Sequence, residues 1–359
     1  MRSVHVRARA GAVAAITLAL TTSCTLVGND DEARTADAPG ETPSSVVLVT
    51  HESFALPDKL LRRFESDTGL TLDVRSSGDA GTVTNKLVLT KDDPTGDVAY
   101  GVDNTFASRA LDAGVFADSG VDLPAGADAY ALEDGTDRLV PVDTGSVCVN
   151  VDTGWFDQRD LDPPQTLDDL LDPAYRDLFV TPGAATSSPG MAFLLSTIAE
   201  YGDAWPDYWS ALMANGAKLT SGWSDAYYVD FTQGGGDGDR PLVVSYDSSP
   251  AFTLADDKAS STTEALLDTC YRQVEYAGVL EGAANPEGAR QLIDFLLSPE
   301  VQAALPESMY VFPVVDGVAL PPDWARFAVQ PDDAYEVAAA DITDNREDWL
   351  TTWSDVTSR

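Results

Sequence analysis

Residues 46–50 are apolar without alternation, the pattern of a strand covered on both faces. After Pro57, Leu60, Leu61 and Phe64 recur at helical spacing, and Gly69 supplies a C-terminal cap. Residues 70–74 read as the next strand, so the body opens β-α-β. The order recurs with a strand at 97–100 and a helix at 105–113 that stops at Gly114. Residues 139–142 and 146–151 read as paired or crossover strands. Further on, 191–201 and 205–215 read as helices, and 217–220 and 242–245 as strands. Late in the chain Asn285 is an N-cap, Pro286 takes the first helical position and Glu287 suits the positive end of the dipole. Ser298-Pro299-Glu300 repeats that start for a second helix. Such alternation predicts an α/β protein with a parallel-rich sheet and helices on both faces. The residues after position 45 exceed one comfortable core, so two α/β lobes are expected.

The N-terminus follows a different pattern. Arg2, Arg7 and Arg9 precede an apolar stretch at 10–20, which is shorter than the ~20 residues a spanning helix needs. Leu20-Thr21-Thr22-Ser23-Cys24 resembles a bacterial lipoprotein cleavage box. The expectation is a signal peptide at 1–23 and a lipid on Cys24, the alternative being a free cysteine after an ordinary signal peptide. Residues 28–45 are polar and acidic and contain Gly, Pro and Ser, so 24–45 reads as a lipid-anchored flexible tether. No later stretch is apolar enough to span a membrane, so anchoring to the outer face of the bacterial cytoplasmic membrane through lipid alone is expected. With Cys24 lipidated, Cys148 and Cys270 remain, either as a disulfide in an oxidising compartment or as two separate buried thiols.

Charge narrows the partners. The 359 residues carry 59 acidic and 22 basic side chains, a formal charge of -37, which argues against nucleic acid or anionic lipid surfaces. A cationic ligand, a salty habitat and a heavily solvated surface all fit it. Histidine is limited to His5 and His51, which disfavours histidine triads and multi-histidine zinc sites. A binder without enzymatic activity, resident cofactor or metal is therefore expected.

Several segments could carry binding. Ser187-Ser188-Pro189-Gly190 opens an apolar helix, either as an ordinary cap or as a seat for an anion or polar oxygen. Trp223, Tyr246 and Tyr310 lie at strand-to-loop or helix-start positions, where aromatics plug a core or stack on a flat or cationic ligand. Asp103 and Asn104 follow a strand at the carboxyl edge where open α/β sheets bind ligands. Tyr227-Tyr228 resembles the adjacent tyrosines of ferric-ion binding proteins, which would imply iron ligation with His51 as a further ligand, although neighbouring residues of an α-helix do not share a face. The glycine-rich run at 234–239 lacks the spaced oxygens of an EF-hand and reads as a flexible loop.

Taken together, these strings resemble the thiamine-binding proteins, extracytoplasmic receptors of thiamine ABC importers, over about residues 46–353. The resemblance is carried by Thr50-His51-Glu52-Ser53-Phe54, Asp97 to Asn104, Ala185 to Gly190, Gly222-Trp223-Ser224-Asp225-Ala226-Tyr227, Val244 to Phe252, and Met309 to Val314. It implies a two-lobed periplasmic binding protein fold of type II, each lobe a mixed, mostly parallel sheet flanked by helices. Residues 46–143 with 274–315 would form one lobe, and 144–273 with 316–359 the other. The resemblance further implies that Trp223, Tyr246 and Tyr310 surround the thiamine rings and that Asp103 bonds the aminopyrimidine or neutralises charge. Ser187, Ser188 and Gly190 would meet the hydroxyethyl or phosphate end, with Asn104 and Asp247 nearby. This sequence departs from the family at His51, which replaces an aromatic phenol, at Glu52, which replaces Asp, and at Phe252, where a tyrosine can occur. The expected partners are thiamine or its phosphates and the permease subunits of an importer, with the receptor a monomer. Ferric iron or a polyamine on the same fold is the alternative.

Overall fold

In the computed structural model, which describes residues 43–358, the strand pattern resolves into one mixed sheet. Its strands are β1 (Ser45–Thr50), β2 (Thr71–Ser76), β3 (Val98–Asp103), β4 (Val140–Asp152), β5 (Phe179–Pro182), β6 (Lys218–Thr220), β7 (Leu242–Tyr246), β8 (Thr263–Val279) and β9 (Phe312–Pro313). Their order is β2-β1-β3-β8-β4-β7-β5-β6, with β9 beside β4. Parallel pairing holds the outer strands, β2-β1-β3 on one side and β7-β5-β6 on the other. Antiparallel pairing joins them through β8 and β4 in the middle.

The central pair differs from the local reading. Pro141 and Gly145 suggest a break between two short strands, yet β4 is one run of 13 residues, all buried. Register shifts at Pro141/Asp143 and Val147/Val149 absorb the irregularity without ending the strand. The 17-residue β8 is masked in the sequence because Glu264, Asp268, Arg272 and Glu275 interrupt its apolar positions.

Two cores are strung on these two strands. One gathers Val46, Leu48, Phe64, Val98, Val140, Val142, Ala277, Val279, Leu292 and Ile293. The other gathers Val147, Val149, Val151, Phe193, Trp209, Leu242, Leu266, Tyr271 and Trp353. The first is covered by the helices Asp58–Thr68, Pro286–Leu296 and Pro299–Met309, and the second by Ser188–Tyr201, Trp205–Ala214 and Ala339–Thr357. Local signals set several helix ends. Gly69 closes its helix at φ 74°, and the Asn285 side chain accepts from Gly288 N at 2.9 Å. Cys148 and Cys270 form a disulfide from β4 to β8, beside the second register shift.

The described residues form one compact unit. Within the described residues no helix is long and apolar enough to cross a membrane. The expected signal peptide, Cys24 and nearly all of the expected tether lie outside the described residues.

Candidate functional site

A cavity of about 460 Å³ opens where the carboxyl ends of the parallel strands converge. His51 and Glu52 follow β1, Asp79 follows β2, Ser188 follows β5, Trp223 follows β6, and Tyr246 ends β7. Glu275 reaches in from β8, and Met309 and Tyr310 from the end of the Pro299–Met309 helix. Tyr310 takes the left-handed conformation, φ 64°, as it leaves that helix.

Asp79 organises one wall. Its Oδ1 accepts from Ala80 N at 2.7 Å and from Ser188 N at 3.1 Å, and its Oδ2 accepts from Trp223 N at 2.9 Å. Those N–H groups belong to three helical starts, whose positive ends favour a carboxylate. Burial still pushes the Asp79 carboxyl above its ordinary range, although the N–H donors act in the opposite direction.

The aromatic wall is built on an unusual turn. Asp225–Asp230 winds as a π-helix, a wider coil that recurs at functional sites. Trp223 stacks on Tyr227 at 5.0 Å between centroids, and Tyr228 meets Trp223 edge-on at 5.3 Å. Tyr246 approaches Trp223 edge-on at 6.1 Å, and Trp223 Nε1 donates to Ser245 Oγ at 3.0 Å. Both Tyr227 and Tyr228 line the cavity, against the α-helical expectation, because α-helical spacing does not apply to this coil. Burial raises both phenols above their ordinary pKa. No group of three or more His, Cys, Asp or Glu among the described residues could hold a metal ion. The glycine run serves packing: a Cβ at Gly238 would meet the Asp230 and Phe231 backbone at 2.5 Å.

A buried acid chain lies beside the aromatics. His51 Nε2 is 3.4 Å from Glu275 Oε1, and the Tyr100 hydroxyl is 3.3 Å from Glu275 Oε2 while donating to Asp143. Burial, reinforced by Glu275, drives the Asp143 carboxyl well above its ordinary range, whereas His51 helps to keep Glu275 ionised against its own burial.

Of the candidates from sequence, His51, Glu52, Ser188, Trp223, Tyr246, Phe252 and Tyr310 line the cavity together. The other five do not line it. Asp103 is fully buried, and its Oδ1 accepts from Thr105 N at 3.1 Å and Thr105 Oγ1 at 2.8 Å. Asn104 ties β3 to β8, donating to Arg272 O at 3.0 Å and accepting from Val274 N at 3.1 Å. Ser187 caps its helix by accepting from Gly190 N at 3.4 Å. Gly190 is a packing glycine, since a Cβ there would lie 2.6 Å from the Pro182 and Gly183 carbonyl oxygens. Asp247 turns away from the cavity towards a second groove of about 430 Å³ that Glu264, Asp268 and Arg326 also line. The sequence reading missed Asp79, Glu275 and Met309. Asp79 alone had a local signal, an acidic N-cap after Ser76-Ser77-Gly78.

An α/β body with two cores and a ligand-sized cavity at its strand ends fits a binding protein of the solute-receptor class. The chain belongs to the bacterial extracellular solute-binding protein family, whose profile matches residues 93–335, and is a binding protein rather than an enzyme. Among its relatives is the thiamine-binding periplasmic protein of Escherichia coli (strain K12), 31% identical over 324 residues, covering 88% of this chain and 94% of the relative. The thiamine-binding periplasmic protein of Salmonella typhimurium is 30% identical over 331 residues, 90% of this chain and 96% of that one. A solved structure of a periplasmic thiamin binding protein superposes with a TM-score of 0.78 at 29% identity, over 89% of this chain and 100% of that chain. Iron-bound HitA from Pseudomonas aeruginosa shares the fold, with a TM-score of 0.66 at 19% identity over 88% of this chain and 99% of that chain.

Proposed function

We propose that the chain captures thiamine, or a thiamine phosphate, in this cavity outside the cytoplasm and delivers it to an ABC importer. The observation that carries the reading is the cavity lining: aromatic faces beside the carboxyls of Glu52, Asp79 and Glu275, with no Lys or Arg among the described residues that line it. Thiamine joins a permanently charged thiazolium to a flat aminopyrimidine. Aromatic faces stabilise such a cation by about 0.5–2 kcal/mol each when desolvated. A carboxylate accepts from the amino group of the pyrimidine. The volume of about 460 Å³ suits a ligand of this size. The names of the relatives support the same ligand.

The two cores are read as two lobes, 46–143 with 274–315 and 144–273 with 316–359, which close on the ligand by bending β4 and β8. A lipid on Cys24 would hold a monomeric receptor at the membrane, with no covalent chemistry on the ligand. Calorimetry with thiamine, its mono- and diphosphate and Fe3+ tests the reading. A Kd below about 10 μM for a thiamine compound is expected, and absence of any such binding would overturn it. Replacing Cys24 by Ala should release the protein from membranes; retention would refute the anchor.

A further inference from the structure

The cavity contains a titratable pair that aromatic stacking does not require. His51 and Glu275 are both buried in the cavity wall with Nε2 and Oε1 3.4 Å apart. The place of the imidazole is built into β3. Gly101 sits at φ 95°, and a Cβ there would run into the ring. The strand also shifts register between Tyr100 and Val102. Tyr100 of the same strand packs against the imidazole at 5.6 Å between centroids and bonds to Glu275 and Asp143.

The charges facing His51 come from several elements: Glu275 of β8, Asp79 beyond β2 and Glu52 on its own loop. Burial is the largest single influence and disfavours the imidazolium. Glu275 foremost, with Asp79 and Glu52, outweighs it, so His51 holds its proton above its ordinary value of 6.5.

Resting on the thiamine reading above, we infer that His51 is a resident cation exchanged for the ligand's cation. In the empty cavity the imidazolium balances Glu275. When thiazolium enters, it takes over that balance and the imidazolium N–H proton passes to bulk water, leaving a neutral imidazole. The charge of the site is the same before and after, and no bond other than N–H is broken. Glu275 is thereby the counter-ion that selects a cationic ligand over a neutral one of the same shape. Ligand and proton compete, so affinity falls as the pH drops below the His51 midpoint of the empty protein and is level above it. One proton released per ligand sets the steepest fall at about tenfold per pH unit.

Imidazole NMR titration of the full chain tests this, because His5 is the only other histidine and a His51→Gln variant assigns the signal. The His51 midpoint should lie above 6.5 in the empty protein and drop when thiamine saturates the site. Calorimetric Kd for thiamine should weaken below that midpoint, with proton release seen as a dependence on buffer ionisation enthalpy. Glu275→Gln should lower the midpoint of the empty protein and flatten the pH profile. Thiamine binding with an unmoved His51 midpoint would overturn the exchange while leaving the functional reading intact. No thiamine binding at any pH would remove the functional reading, and the exchange with it.

Discussion

Asp79→Ala removes a carboxylate on which three backbone N–H groups converge, from Ala80, Ser188 and Trp223. Ala80 opens a helix whose Val83 and Leu87 pack on Val49, Ala99 and Val102 of β1 and β3, and Ser188 and Trp223 open helical segments of the second half. Two of the three bonds therefore cross between the halves, directly at the cavity. Hydrogen bonds to a charged group contribute about 1.5–3 kcal/mol each. Asp79 is half-buried and water would replace part of that, so the lower figure applies, about 3 kcal/mol for the two together. Neighbouring contacts survive the change: Thr82 N still donates to Thr186 O at 3.0 Å, and Asn85 Nδ2 to Ala185 O at 3.3 Å. On the proposed closure of the lobes, a loss of about 3 kcal/mol from the ligand-holding form weakens thiamine binding by about a hundredfold. Asp79→Asn keeps one acceptor oxygen and should fall between the Ala variant and the parent. Quenching of tryptophan fluorescence gives the affinities, and small-angle scattering gives the compaction on adding thiamine. The reasoning is refuted if Asp79→Ala binds within about threefold of the parent and compacts to the same radius.

Other outcomes follow from the same structure. Trp223→Ala and Tyr246→Ala should each weaken thiamine binding by about 1 kcal/mol or more, read by calorimetry. If neither shifts the Kd, the cavity is not the binding site. Replacing Cys148 and Cys270 together by Ser opens a link across 122 residues of sequence and should cost about 2–5 kcal/mol in urea unfolding, with an unchanged midpoint the contrary result. Burial pushes the Asp247 carboxyl from 3.8 up to about 7, so the native state holds a proton that the unfolded chain has released. That contribution is full below pH 3.8 and is lost as pH rises to about 7. Asp247→Asn should therefore raise the Tm more at pH 8 than at pH 5, and an equal shift at both would contradict the burial argument.

How far the site could be read from sequence depended on how local each residue's role is. Trp223, Tyr246 and Tyr310 are legible because each stands where an element ends or a helix starts, and the ends of strands in an open sheet collect ligands. The same rule failed at Asp103. It ends β3, but its carboxyl turns back to Thr105, two residues on, and leaves the cavity wall to other side chains. Ser187 and Gly190 belong to a capping motif whose geometry is real, yet the motif serves the helix and its packing against the strand before it. For Tyr227 and Tyr228 the sequence suggests α-helical spacing, and nothing in Asp-Ala-Tyr-Tyr-Val-Asp announces a π-helix. Glu275 is hidden because the charged residues of β8, Glu264, Asp268, Arg272 and Glu275, recur every third or fourth position rather than alternating, so no strand pattern marks the segment and the side chain has no predicted place. Asp79 is the clearest case. Its partners Ser188 and Trp223 lie 109 and 144 residues away, and they meet it only after β4 and β8 bring the halves together. Periodicity reports which face of an element is buried; it carries no record of which backbone N–H will arrive opposite a given carboxylate. The parts of the site that stack on a ligand are therefore written locally, and the parts that hold the two halves around it are written in the tertiary fold.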